Sequence, residues 1–363
     1  MDRQMLQEQA ADLLYEKKRL VCEWATSVGK SGVVLQFLKK NPGCNCLILV
    51  PEQNNIENWR EEFRKFSVPD DKVTIICYAS LHKFERSSWD LLVLDEVPHM
   101  DTDKRRKLCE SISGEYILAL GAVIDEDEMQ TLRSVYGSFS VSRISLETGI
   151  RMGIIVPPSI YVLHLQLDDT RQDQWYKGRS YTARKLNDLL NEKVDAAVAA
   201  YNASSSTWNK QAMFRAGVER KRFLGAQKEE ALMRLSAYLA QRNLRFLCFC
   251  SSIEQAEKLG GENAFTSKSA KSMKHLDRFN NHEIDSLFVV GKLIEGQNLK
   301  DIDCGIIGQI GGTQRITVQE IGRVLRSKNP AIYIPIFDGT KDESFLHTLT
   351  ANISADYIKH YKF

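Results

Sequence analysis

Three short stretches carry residues that a phosphate-transfer chemistry would need together. The first is Ala25-Thr26-Ser27-Val28-Gly29-Lys30-Ser31, which follows the apolar run Leu20–Glu23 and precedes the helical Gly32–Lys40. A loop between a strand and a helix start gathers backbone N–H groups around a phosphate, and the helix dipole adds to the attraction. From that loop the ammonium of Lys30 reaches the terminal phosphates of a nucleoside triphosphate, and the Ser31 hydroxyl ligates magnesium. The second stretch is Asp95-Glu96, two carboxylates closing the apolar run Leu91–Leu94. At the carboxyl edge of a parallel sheet one of them holds the metal ion while the other orients an attacking water. The same pair also fits an ordinary helix start with an acidic first turn. The third is Gln319-Glu320-Ile321-Gly322-Arg323-Val324-Leu325-Arg326, a predicted helix on which Arg323 and Arg326, three apart, share a face. Two guanidinium groups presented together neutralise charge developing on a transferring phosphoryl group. A solvated basic helix face has the same pattern.

These stretches need a scaffold, and the apolar pattern supplies one. Leu20–Glu23, Cys46–Val50, Val73–Cys77, Leu91–Leu94 and Tyr116–Leu120 are short runs, apolar throughout, with helical patterns such as Gln53–Phe66 and Thr102–Ile112 between them. Strands of this kind are covered on both faces, and their alternation with helices predicts a parallel sheet with right-handed crossovers. The pattern returns in Arg245–Cys250, Ser286–Val290, Cys304–Ile307 and Ile332–Ile336. At 363 residues the chain has room for two domains, and Val156-Pro157-Pro158 marks a boundary because paired prolines stop a helix. The segment from about 170 to 242 reads as helices.

Composition excludes other classes. The net charge of +2 means that any basic binding surface is local rather than global. Eight cysteines include no Cys-x-x-Cys pair and have no histidine cluster at zinc spacing, so buried thiols are expected. The polar, helical start and the lack of any long apolar run predict no membrane partner and a cytoplasmic protein, or a nucleocytoplasmic one in a nucleated cell.

Taken in order, the motifs resemble those of a superfamily 2 helicase, of the branch containing DEAH-like motors, restriction-enzyme motor subunits and phage recombination helicases. Ala25–Ser31 resembles motif I, Leu49-Val50-Pro51 with the following Trp59 helix motif Ia, and Asp95-Glu96-Val97-Pro98-His99 motif II. Leu120-Gly121-Ala122 stands in the place of motif III, and Phe249-Cys250-Ser251-Ser252 resembles motif IV. Glu295-Gly296-Gln297-Asn298 resembles motif V and Gln319–Arg326 motif VI. Each is weak singly, but seven in order are strong.

The resemblance implies an α/β protein of two tandem RecA-like domains, 1–156 and 157–363, with a helical insertion opening the second and ATP in the cleft between them. It implies that ATP and Mg2+ are cofactors, that Gln7 reads the adenine edge, and that Gly296 and Asn298 approach the nucleotide. Lys30, Asp95, Glu96, Gln319, Arg323 and Arg326 take the catalytic roles, with Ser31 and Asp95 on the metal. Nucleic acid, DNA in preference to RNA and largely without regard to sequence, is the implied partner, with an accessory protein subunit a further one. Ser80, Ser251, Ser252 and Lys292 match positions that touch the strand.

The chain departs from the family pattern in several places. Trp24 stands where the phosphate loop wants glycine, Ser27 where helicases commonly carry one, and Pro98 where a hydrogen-bonding side chain is usual. Gly121-Ala122-Val123 lacks both hydroxyls of motif III. Hydrolysis is expected to survive, since the charged groups remain; its coupling to strand movement is the function these changes touch.

Residues 171–230 hold twelve Lys/Arg against seven Asp/Glu and interleave Arg171, Trp175, Tyr176, Lys177, Arg179 and Tyr181. Cations mixed with aromatics suit phosphate contact and base stacking, and Arg220 and Arg222 extend the basic cluster. A solvated helix face with inward aromatics accounts for the same residues. Two other functions remain open: a nucleotide-binding clamp that holds nucleic acid without translocating, and an RNA helicase.

Overall fold

A computed structural model describes residues 2–97, 103–266, 272–290, 299, 301–310, 322, 324, 327–351 and 353–363. The chain splits between Val156 and Pro157 into two compact units. In the first, the elements run α1 (Arg3–Lys17), β1 (Arg19–Trp24), α2 (Ser31–Lys40), β2 (Cys46–Val50), α3 (Gln53–Lys65) and β3 (Val73–Cys77). They continue β4 (Ser88–Asp95), α4 (Asp103–Glu110), β5 (Ser113–Gly121), α5 (Glu126–Tyr136), β6 (Ser140–Ile144) and α6 (Leu146–Arg151). In the second unit come β7 (Ser159–Leu165), the hairpin β8 (Gln174–Tyr176) and β9 (Arg179–Tyr181), and the helices α7 (Ala183–Ala203), α8 (Thr207–Gln227) and α9 (Glu229–Ala240). Then follow β10 (Phe246–Cys250), α10 (Ile253–Gly260), β11 (Ala264–Phe265), α11 (Ser272–Asn280), β12 (Ser286–Val290) and β13 (Cys304–Ile307). The chain closes with β14 (Ala331–Phe337), α12 (Lys341–Thr350) and β15 (Ile358–Lys362).

Each unit is built on one parallel sheet. The first has the order β3-β2-β4-β5-β1-β6 and the second β11-β12-β10-β13-β14-β7-β15. Strands β2, β10 and β13 are buried along their whole length, as their unbroken apolar sequences require. Register brings the chemistry to one edge of the first sheet. Leu120 of β5 pairs with Cys22 of β1 on one side and with Asp95 of β4 on the other. The carboxylate is therefore level with Cys22, two residues before β1 ends and the phosphate loop begins.

The segment expected to be wholly helical opens instead with the antiparallel pair β8–β9. Its connection is Lys177-Gly178, with φ of 49° and 76°. Two positive φ values in succession suit the right-handed twist of a hairpin, and this two-residue turn is what the helical reading overlooked. None of the eight cysteines is in a disulfide, and all but Cys44 are buried. Burial pushes the Cys22 thiol up to about 12, beyond ordinary reactivity. Among the described residues no helix is long and apolar enough to cross a membrane.

The second unit holds one fully buried ion pair, Lys228 Nζ to Asp342 at 2.7 Å. Asp342 also accepts from Gln309 Nε2 at 2.6 Å and from the Phe337 N–H at 3.2 Å. Removing one member strands the other charge in a low-dielectric interior. Asp342→Ala is expected to cost about 3–5 kcal/mol, read as a lowered midpoint in urea denaturation.

Candidate functional site

The phosphate loop leaves β1 at Trp24, whose ring is fully buried and whose Nε1 donates to Ser142 Oγ of β6 at 2.9 Å. The position where glycine was expected is thus an anchor for the end of the strand. Beyond it the backbone turns through Ser27 at φ 73° and Gly29 at φ 98° before α2 begins at Ser31. Ser27 adopts the left-handed conformation that glycine meets without strain, so the loop keeps its shape despite the substitution. Lys30 folds back over the loop, its Nζ donating to the Trp24 carbonyl at 3.1 Å.

Gln7, buried on α1, braces this loop: its Nε2 donates to the Gly29 carbonyl at 2.8 Å. A Cβ on Gly32 would lie 2.1 Å from the same nitrogen. A side chain at 32 would therefore displace the Gln7 amide from its brace on the loop, a constraint not evident from the loop motif alone. The stretch after β6 packs on the loop as well. An added Cβ on Gly149 of α6 would meet Ile155 at 2.7 Å and Val28 at 3.6 Å. The Ala25 N–H donates to the Ile144 carbonyl at 2.8 Å, and Arg3 donates to the Ile154 carbonyl at 3.0 Å.

Asp95 and Glu96 are both half-buried at the end of β4. Asp95 Oδ2 accepts from the indole N–H of Trp59 at 2.9 Å, and the Tyr78 hydroxyl donates to its carbonyl at 3.1 Å. Burial and the adjacent Glu96 carboxylate push the Asp95 carboxyl up to about 6, against the Trp59 N–H and the Lys30 charge, which favour ionisation. Glu96 has φ 53°, a left-handed conformation for a side chain with a Cβ. The strand thus ends in a left-handed backbone position. Ser31 Oγ donates to Glu62 Oε2 of α3 at 3.4 Å.

Hard oxygen donors suit magnesium, which takes one or two protein ligands and completes its shell from phosphates and water. The Ser31 hydroxyl and the Asp95 carboxylate are donors of the kind that fit that ion. In place of motif III, Gly121 closes β5 so tightly that a Cβ there would lie 2.7 Å from Ile124. No hydroxyl takes part.

Ser80 lies in the 3-10 turn Tyr78–Phe84, on a groove of about 590 Å³ that it shares with Arg60, Lys83, Ile56, Ile75 and Phe84. In the second unit Ser252 caps α10, its Oγ accepting from the Gln255 N–H at 3.1 Å, and Ser251 Oγ donates to Gln255 Oε1 at 2.9 Å. Arg222 is exposed. Arg220 is not: it is 8% exposed, donates to Asn191 Oδ1 at 3.2 Å and lies over the Phe345 ring at 5.5 Å. The surface phosphate contact expected of Arg220 is corrected accordingly, because its guanidinium is spent on the interior. Trp175 stands 76% exposed on β8, while Tyr176 lies under Lys193. Pro98, His99, Lys292, Gly296, Asn298, Gln319, Arg323 and Arg326 lie outside the described residues.

No protein-family model matches the sequence, and no curated protein matches it. Solved structures do. The Pyrococcus furiosus Hef helicase domain aligns with a TM-score of 0.58 at 13% identity, over 94% of this chain and 97% of that one. The Sulfolobus solfataricus SWI2/SNF2 ATPase core in complex with dsDNA aligns with a TM-score of 0.39 at 12% identity, over 96% and 89%. Two parallel sheets with helices between their strands, and an alignment along nearly the whole length of the Hef helicase domain, show that the chain has the fold of that domain, with two RecA-like units.

Proposed function

We propose that the chain is an ATP-dependent nucleic-acid translocase or helicase acting on DNA. The observation that supports the reading is that the loop carrying Lys30 and Ser31 follows the carboxyl end of β1 while Asp95 and Glu96 follow that of β4, two parallel strands tied through β5. That is the equipment for hydrolysing a nucleoside triphosphate. The Lys30 ammonium is free to exchange the Trp24 carbonyl for phosphate oxygens. Ser31 and Asp95 would hold magnesium, which would supply charge screening of the triphosphate. Glu96 accepts a proton from the water that attacks the γ-phosphorus, and the bond to the ADP oxygen breaks.

Arg323 and Arg326 are proposed, on sequence, to counter the charge that builds on the transferring group, with Gln319 ordering the same helix. Gly296 and Asn298 are proposed to approach the nucleotide. Gln7 is proposed to read adenine while its amide nitrogen braces the loop. Strand contact is assigned to Ser80 on the groove with Arg60 and Lys83, to Ser251, Ser252 and Lys292, and to the exposed Arg222. Contacts of this kind grip backbone rather than bases, so little sequence preference is expected. DNA is preferred to RNA because Gln319–Arg326 and Ser145–Pro158 resemble the DNA-acting motors.

The structure of β5 favours one rival. With Gly121 packed on Ile124 and no hydroxyl at motif III, a clamp that binds ATP and nucleic acid without coupled turnover has a physical basis. Steady-state ATPase assays with single- and double-stranded DNA and RNA separate the readings. The motor predicts marked stimulation by DNA. Tight ATP binding without turnover on any of the four would leave the clamp.

A further inference from the structure

The two residues assigned to the metal are each touched from the same helix. Trp59 and Glu62 are three apart on α3 and therefore share a face. Trp59 Nε1 donates to Asp95 Oδ2 at 2.9 Å, and Glu62 Oε2 accepts from Ser31 Oγ at 3.4 Å. We infer that α3 is the positioning element of the magnesium site, with Trp59 orienting Asp95 and Glu62 orienting Ser31. The inference rests on the ATP-site reading and names the residues that tune it.

The chemistry of each contact supports it. A carboxylate that gives one oxygen to an N–H donor is held in a single rotamer with its other oxygen available to a cation. A serine hydroxyl ligates a metal through a lone pair, so its proton needs an acceptor on the far side, and Glu62 is that acceptor. Trp59 is only 4% exposed and packs beside Phe63, with ring centroids 6.3 Å apart, so its N–H cannot swing away. Glu62 is less constrained. Its other oxygen lies 3.9 Å from Lys65 Nζ.

The helix has a second side. Gln53, Ile56, Glu57 and Arg60 line the groove that holds Ser80 and Lys83. A strand lying in that groove bears on the same rigid rod that holds both metal ligands. Nucleic acid thus has a physical route to the metal within one unit, without the hydroxyls that motif III lacks.

Mn2+ in place of Mg2+, titrated into the full chain with a non-hydrolysable ATP analogue and followed by electron paramagnetic resonance of the free ion, reads ligand positioning without turnover. Trp59→Phe keeps the ring and removes the donor; it is expected to weaken Mn2+ binding about tenfold. Glu62→Ala is expected to weaken it several-fold, while Glu62→Gln, which keeps an acceptor oxygen, stays near wild type. Circular dichroism melts establish that each variant is folded. If Trp59→Phe is not, the contrast between Glu62→Ala and Glu62→Gln at a half-exposed position carries the test. Wild-type Mn2+ affinity in folded Trp59→Phe, or equal loss in both Glu62 variants, would overturn the inference alone. A wild-type chain that takes up no Mn2+ with the analogue would overturn the ATP-site reading and this inference together.

Discussion

Lys30→Met is expected to lower kcat for ATP hydrolysis by roughly two to three orders of magnitude, the cost of removing one preorganised charge from a transition state. The fold should not change. Methionine fills a similar volume, and what the Lys30 side chain gives up is its hydrogen bond to the Trp24 carbonyl at the end of β1. A melting temperature near wild type with a collapsed kcat is the predicted pair of results. If the lysine served only to close the loop, the melt would shift and hydrolysis would fall little.

Glu96→Gln gives the second large effect. Losing the group that takes the water proton is expected to reduce kcat by about 10²–10⁴-fold while equilibrium binding of ATP holds. The backbone adds a control. Glu96 sits at φ 53°, where a residue with a Cβ is strained by roughly 1–2 kcal/mol and glycine is not. Glu96→Gly should therefore be at least as well folded as Glu96→Gln and equally inactive, which ties the loss to the carboxylate. Activity retained in Glu96→Gly would assign the base elsewhere.

What the sequence made legible follows from which forces act locally. Strands β2 and β10 appear in the apolar pattern with nearly their observed bounds, because continuous burial leaves an unbroken hydrophobic run. Strands β6 and β15 were missed, since Ser140–Ile144 and Ile358–Lys362 are edge strands, exposed on one side and polar in alternation. Strand β7 was hidden by the prolines before it, which drew attention to the boundary rather than to Ser159–Leu165.

In the candidate site, Lys30, Ser31 and Asp95 stand out in the sequence because the proposed phosphate chemistry calls for their types at that spacing. Trp59 and Glu62 were not. Their spacing of three places them on one face of α3, but only the packing of α3 beside β4 and α2 tells which residues that face meets. Arg220 shows the same limit from the other side. In sequence it is one cation in a basic run; in space Asn191 and Phe345 claim it.

The most direct test of the account is an experimental structure of the chain with magnesium and a non-hydrolysable ATP analogue. The terminal phosphates are expected on the Lys30 ammonium, with the metal held by Ser31 Oγ and the Asp95 carboxylate and the Trp59 N–H still on Asp95. Nucleotide bound away from the Gly29–Ser31 loop, or a metal that avoids Asp95, would contradict it.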